Sequence, residues 1–256
     1  MSTVEGYAQG VPCWIDLITS DVDSARTFYG ELFGWSYGSY PMPGDATYYM
    51  STIDGRNVAG LMQLAPAMEG DAPAWQTYLA VDDADAAAGR VTDAGGTVLF
   101  PVDEIPGSGR MTIAFDPSGA KFGLWQTTGH IGSAVVNQHG APIWHELQAD
   151  DPARAADFYS AVTGVEAKTS DVDGIPYIEL LVEGKSSAGI MPKQAADQPN
   201  AWLVYFGAHS PDETAARAAE LGGRVLQPAF DIPGIGRMAV LADPQGAVFA
   251  VMRGEG

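Results

Sequence analysis

Ile105-Pro106-Gly107-Ser108-Gly109-Arg110-Met111 returns, 127 residues later, as Ile232-Pro233-Gly234-Ile235-Gly236-Arg237-Met238. Each stretch runs into an Asp-Pro-x-Gly turn: Asp116-Pro117-Ser118-Gly119-Ala120 and Asp243-Pro244-Gln245-Gly246-Ala247. Working outward at that offset, Trp75 and Tyr78 meet Trp202 and Tyr205, and Gly95-Gly96 meets Gly222-Gly223. Nearer the start the offset widens to 130. Phe28-Tyr29-Gly30 matches Phe158-Tyr159-Ser160, and Pro12-Cys13-Trp14-Ile15-Asp16-Leu17 matches Pro142-Ile143-Trp144-His145-Glu146-Leu147. So many ordered matches make the chain a duplication. The halves span 1–128 and 140–256. The linker between them, 129–139, carries His130 and His139, which are expected to be solvated.

Within each half the hydrophobic period switches repeatedly. Residues 14–18 are β-branched and aromatic, hence a strand. Asp21 and Asp23 then precede Ala25, Phe28, Tyr29, Leu32 and Phe33 at helical spacing, with Gly34 as the stop. Strands follow near Tyr37, at 48–53 and at 58–64, and the order then restarts. Residues 75–81 form a strand, 83–94 a helix, and 97–102, 111–115 and 121–126 three more strands. A short strand is expected at 133–137. The fold class is therefore α+β, with four βαβββ units in two tandem halves.

That plan, with Asp-x-x-x-Ala/Ser-x-x-Phe-Tyr in the first unit and a closing Asp-Pro-x-Gly, resembles the vicinal-oxygen-chelate superfamily. This superfamily includes glyoxalase I, bleomycin-resistance proteins and extradiol dioxygenases. The two-half layout resembles a subfamily labelled “putative hydroxylase” or “27 kDa antigen-like”, whose members occur in antibiotic gene clusters. The resemblance implies curved mixed sheets, each enclosing a cleft. It leaves function open, because the superfamily hosts lyases, oxygenases and plain binders alike.

The resemblance also implies where a metal would be held: at Trp14, Gly60, Gln76 and Gly123 in one half, and at Trp144, Gly189, Leu203 and Ala250 in the other. A divalent cation needs three or four converging N/O donors. Only Gln76 among the eight carries one, so no metal and no other cofactor is expected. Alternation along strands places Trp14, Asp16, Met62, Gln76, Tyr78 and Trp125 on one concave face, and Trp144, Glu146, Met191, Tyr205 and Met252 on the other. With glycine or alanine at the closing positions, the cleft centre is expected to be wide and walled by aromatics and methionines. Arg110 and Arg237 are expected to anchor a carboxylate or loop carbonyl, and Asp116 and Asp243 to bond backbone within their turns.

Composition narrows the partners. Thirteen Lys and Arg stand against 32 Asp and Glu, a net charge of −19, which repels phosphate backbones and anionic lipid surfaces. Nucleic acid and membrane are therefore excluded as partners, while neutral or cationic small aromatic molecules are permitted. Cys13 stands alone, so there is no intrachain disulfide and no cysteine-rich zinc site. Residues 1–12 lack a secretory pattern, and a cytoplasmic monomer or homodimer is expected.

Two function classes follow. The first is a metal-free binder of a planar aromatic natural product, an antibiotic or polyketide, serving self-resistance or its biosynthesis. The alternative is a metal-independent polyketide-tailoring enzyme (hydroxylase, isomerase or cyclase) using Asp16 or Glu146 as acid or base. A metal-dependent lyase or dioxygenase ranks below both.

Overall fold

The computed structural model describes residues 2–65, 72–172 and 174–255. In chain order its elements are β1 (Ser2–Thr3), β2 (Pro12–Thr19), α1 (Val22–Phe33), β3 (Ser36–Pro41), β4 (Thr47–Ile53), β5 (Arg56–Gln63), β6 (Ala74–Ala80) and α2 (Ala84–Asp93). Then come β7 (Thr97–Val98), β8 (Asp103–Ile105), β9 (Gly109–Phe115), β10 (Lys121–Thr127) and β11 (Val135–Val136). The second half holds β12 (Pro142–Ala149), α3 (Pro152–Thr163), β13 (Glu166–Val172), β14 (Ile175–Val182) and β15 (Lys185–Pro192). It closes with β16 (Ala201–Gly207), α4 (Pro211–Glu220), β17 (Arg224–Ile232), β18 (Gly236–Ala242) and β19 (Val248–Gly254).

Each half builds one mixed sheet, in the order β3-β4-β5-β2-β6-β10-β9-β7 and β13-β14-β15-β12-β16-β19-β18-β17, with β8 paired to β9. The first strands of consecutive units run antiparallel at the centre, β2 beside β6 and β12 beside β16. The four units thus pair sequentially, two to a sheet. A separate ribbon, β1 with β11, ties the linker to the start of the described chain.

The helices start where the sequence places their caps. Asp21, Asp83, Asp151 and Ser210 each accept the backbone N–H three residues on, and Gly34 and Gly164 end α1 and α3 in left-handed conformation at φ 73° and 80°. The strand expected over 97–102 is instead two short pieces separated around Pro101, which has no ladder donor. In the second half β17 stays whole around Pro228 by taking two bulges.

The helices of one half pack against those of the other, α1 with α4 and α2 with α3. Both main cores accordingly mix halves. One joins Phe28, Tyr29 and Trp75 to Phe206, Leu241 and Phe249; the other joins Phe122 and Leu124 to Phe158, Tyr159 and Trp202. The repeated motifs interlock there. Tyr29 donates to Asp243 Oδ2 at 3.2 Å and accepts from Trp75 Nε1 at 3.0 Å; Tyr159 donates to Asp116 Oδ2 at 3.3 Å and accepts from Trp202 Nε1 at 3.0 Å. The other oxygen of each aspartate holds its own turn, Asp116 through Ser118 and Ala120, Asp243 through Gln245 and Ala247. The Phe-Tyr pair of one half thus fastens the Asp-Pro-x-Gly turn of the other. Among the described residues no helix is long and apolar enough to cross a membrane.

Candidate functional site

Facing away from the helices, each sheet carries a carboxylate, two tyrosines and a tryptophan. In the first half Trp14 and Asp16 lie two apart on β2, so both side chains leave the strand on one face. Register brings Tyr78 beside Trp14, and Tyr48 reaches in from β4. Trp14 Nε1 donates to Asp16 Oδ1 at 2.9 Å and to Tyr48 Oη at 3.0 Å, and Tyr48 donates to Asp16 Oδ1 at 2.6 Å.

The second half repeats the design with a longer acid. Trp144 Nε1 donates to Tyr177 Oη at 2.8 Å, and Tyr177 donates to Glu146 Oε2 at 3.2 Å. Tyr205 donates to Glu146 Oε1 at 2.8 Å, joined by Gln148 Nε2 at 3.3 Å. Burial raises both carboxyl pKa values above the usual range, while the tyrosine, tryptophan and glutamine donors pull them back. The same burial, with the adjacent acid, lifts Tyr48, Tyr78 and Tyr205 well above an ordinary phenol. These are acids held by neutral donors. The cations are employed elsewhere: Arg110 meets Asp85 at 2.7 Å, and Arg237 grips Asp212 and Asp231.

The glycines at the positions assigned to metal ligands do not open the cleft, contrary to the expectation of a wide centre. A Cβ on Gly60 would overlap the Tyr48 hydroxyl and the Asp16 carboxylate; on Gly189 it would overlap the Tyr177 hydroxyl, and on Gly123 the Tyr78 ring. The tyrosines fill the volume that those glycines free. Trp14, Trp144, Leu203 and Ala250 bring no donor lone pair, and Gln76 turns its amide N–H to Thr77 O at 3.2 Å. The residues present do not fit a metal of the superfamily type. Among the described residues no group of three His, Cys, Asp or Glu converges in a way that could hold one.

Of the residues singled out by alternation, Trp125 packs with Trp14 and Tyr78, and Met252 packs with Trp144 and Tyr205. Gln76 stands beside Asp16 in register. Met62, half-buried, lies two residues past Gly60, and Met191 meets the Gln194 amide at 4.0 Å rather than an acid cluster. Tyr48, Tyr177 and Gln148 complete the acid clusters beyond the expected residues, and His130 joins Trp14. A repeat offset of 129, shared by Gly60 and Gly189, aligns Tyr48 with Tyr177 and was available in the sequence. His130 is not a solvated linker residue: it sits edge-on to Trp14 at 4.5 Å between centroids, and burial lowers its pKa to about 4. His139 stacks on His209 at 4.6 Å.

The two tryptophans differ in access. Trp14 is 3% exposed beneath His130, whereas Trp144 is only half-buried and borders an open cleft.

Comparison with known proteins agrees with this architecture. Residues 13–124 match the family model of the glyoxalase/bleomycin resistance protein/dioxygenase superfamily, and residues 144–252 match a glyoxalase-like domain. The chain is 44% identical over 250 residues to “Putative glyoxylase CFP32” of Mycobacterium tuberculosis, covering 96% of each chain. It is 35% identical over 263 residues to the anthracycline biosynthesis protein DnrV of Streptomyces peucetius, covering 96% of this chain and 94% of that one. Among solved structures, the Mn(II)-bound glyoxalase of Novosphingobium aromaticivorans superposes with a TM-score of 0.65 at 18% identity, over 96% of this chain and 83% of that one. The 2,3-dioxygenase LapB of Pseudomonas sp. KL28 does so with a TM-score of 0.66 at 16% identity, over 97% and 94%. At such identities the structures share the fold alone. With two tandem glyoxalase-like domains and full-length relatives, the chain belongs to the glyoxalase/bleomycin resistance protein/dioxygenase superfamily.

Proposed function

We propose that the protein binds a planar aromatic natural product of the polyketide kind without a metal, in the service of that compound's biosynthesis or of resistance to it. The observation that carries this reading is the substitution at the centre of each sheet. Where a superfamily metal would stand, a carboxylate is wrapped in tyrosine and tryptophan donors, and glycines admit the tyrosines. Full-length similarity to an anthracycline biosynthesis protein supports this choice of ligand class. An indole surface suits a flat polycyclic ligand, stacking contributing roughly 1–3 kcal/mol by truncation in comparable aromatic systems.

The enzyme reading draws on one observation, the raised pKa of Asp16 and Glu146, which suits proton exchange. Against it, Asp16 already accepts from two neutral side-chain donors and Glu146 from three, leaving little capacity for a substrate proton. The acids serve better to orient the indoles. Titration of tryptophan fluorescence with an anthraquinone, in EDTA and again with added Mn(II), tests the proposal. Saturable quenching with the same Kd in both conditions is expected; quenching that requires the metal contradicts it.

A further inference from the structure

In each sheet the first strand pairs in parallel with the closing strand of its unit only from the carboxylate onward, Asp16 beside Gly60 and Glu146 beside Gly189. Ahead of those pairs lies a notch. In the first half the linker fills it. Ser133 N donates to Cys13 O at 2.8 Å, Ser133 Oγ to Val58 O at 2.7 Å, and Ala134 N to Asn57 O at 2.8 Å. Three residues earlier, His130 covers Trp14, held there as Trp125 Nε1 donates to His130 O at 2.8 Å. The filling is therefore one aromatic ring set edge-on to an indole and three donors facing three main-chain carbonyls.

Counting back from the matched pairs, Cys13, Asn57 and Val58 correspond to Ile143, Ser186 and Ser187. Here the notch is a cleft of about 380 Å³, lined by those three residues with Trp144, His145 and, from the first half, Tyr7. Among the described residues no aromatic ring packs on Trp144 as His130 packs on Trp14. We infer that this second-half cleft is the ligand site, and that its occupant is a planar aromatic molecule carrying hydroxyl or amino donors along one edge. The inference rests on the proposed function and adds to it the half, the wall and the polarity of the ligand.

Three features agree on that chemistry. The carbonyls of Ile143, Ser186 and Ser187 correspond to those that accept from the linker in the first half, so donors on the ligand's edge would repeat the linker's bonds. His145 also lines the cleft, its Nδ1 3.2 Å from Thr77 Oγ1. Burial lowers its pKa to about 3, so at neutral pH it adds no charge to the wall. The volume lies within the roughly 300–1,000 Å³ usual for small-molecule sites.

Fluorescence titration with 2,6-diaminoanthraquinone and with unsubstituted anthraquinone tests the assignment in the wild type, Trp144→Ala, Trp14→Ala and Ser186→Trp. Ser186 is exposed on the cleft lip, outside the Glu146 cluster, so its replacement blocks entry without touching that cluster. One diamino ligand per chain is expected, bound about tenfold more tightly than the unsubstituted ring, as roughly 1.4 kcal/mol of added hydrogen bonding gives. Trp144→Ala and Ser186→Trp should each weaken it by roughly tenfold or more, and Trp14→Ala by no more than about twofold. Two ligands per chain, equal affinity for the two rings, or full binding by Ser186→Trp would overturn the site while leaving the proposed function standing. Absence of any binding to the wild type would remove both. Binding of a synthetic 128–136 peptide that the diamino ring cannot displace would assign the cleft to an extended chain segment and overturn the inference.

Discussion

Gly123 and Tyr78 show how the centre of a sheet is occupied: there is no room for a Cβ where the ring lies. Gly123→Ala should therefore destabilise the protein by roughly 1–3 kcal/mol through overpacking, read as a lower denaturant midpoint at unchanged slope. An unchanged midpoint would mean that the cleft centre has free volume after all. His145 makes a second residue-level prediction. Its folded pKa is about 3 against 6.5 for the free side chain, so folding favours the neutral ring. Its contribution is full above about pH 6.5 and is lost as the pH falls toward 3, at about 1.4 kcal/mol per pH unit for one proton. His130, lowered to about 4, acts in the same direction. Asp16 and Glu146, raised by burial, act oppositely: their contribution is greatest at low pH and falls as the pH rises from their unfolded values toward their folded ones. His145→Ile with Thr77→Val, which copies the Ile15 and Val204 positions of the repeat, should flatten the stability loss between pH 6.5 and 3. An unchanged acid slope would show that His145 is not buried neutral.

At the level of elements, the sequence disclosed the repeat, the helices and the central strands because caps and periodicity are local properties. Asp21 with Gly34, and Asp151 with Gly164, mark α1 and α3 without any tertiary information. The acid clusters were only half legible. Trp14, Asp16 and Tyr78 follow from alternation on the first strands, but Tyr48 and Tyr177 arrive from β4 and β14, whose sheet neighbours are set by topology. The linker misled for the same reason. The sequence predicts a short strand over 133–137, found in part as β11, and solvated histidines, yet His130 packs on Trp14, and Ser133 and Ala134 bond to strand carbonyls that only the folded sheet presents. The Tyr29 and Tyr159 hydroxyls supply a test at this scale, since each joins one half's helix to the other half's turn. Tyr159→Phe should leave the Trp202 N–H and Asp116 Oδ2 without that partner and cost about 1–3 kcal/mol in denaturant unfolding, with Tyr29→Phe similar. A change under a few tenths would show that water replaces these bonds without loss.

Across the whole molecule, each sheet is assembled within a half but each core is assembled between halves. A fragment of residues 1–139 would expose Tyr29, Phe28 and Phe122 to water. It should unfold without a sharp transition until the other half is supplied, and cooperative unfolding of the fragment alone would contradict that dependence. Duplication has also freed the halves to diverge. One concave face is closed by the linker, and the other opens beside Trp144. What occupies the centre of those faces decides whether either can hold a metal. Elemental analysis of the protein, expressed in medium supplemented with zinc, manganese, nickel and iron and then desalted, tests it most directly. Far less than one metal ion per half is predicted, because tyrosines and carboxylates fill the place; one tightly held ion in each half would contradict it.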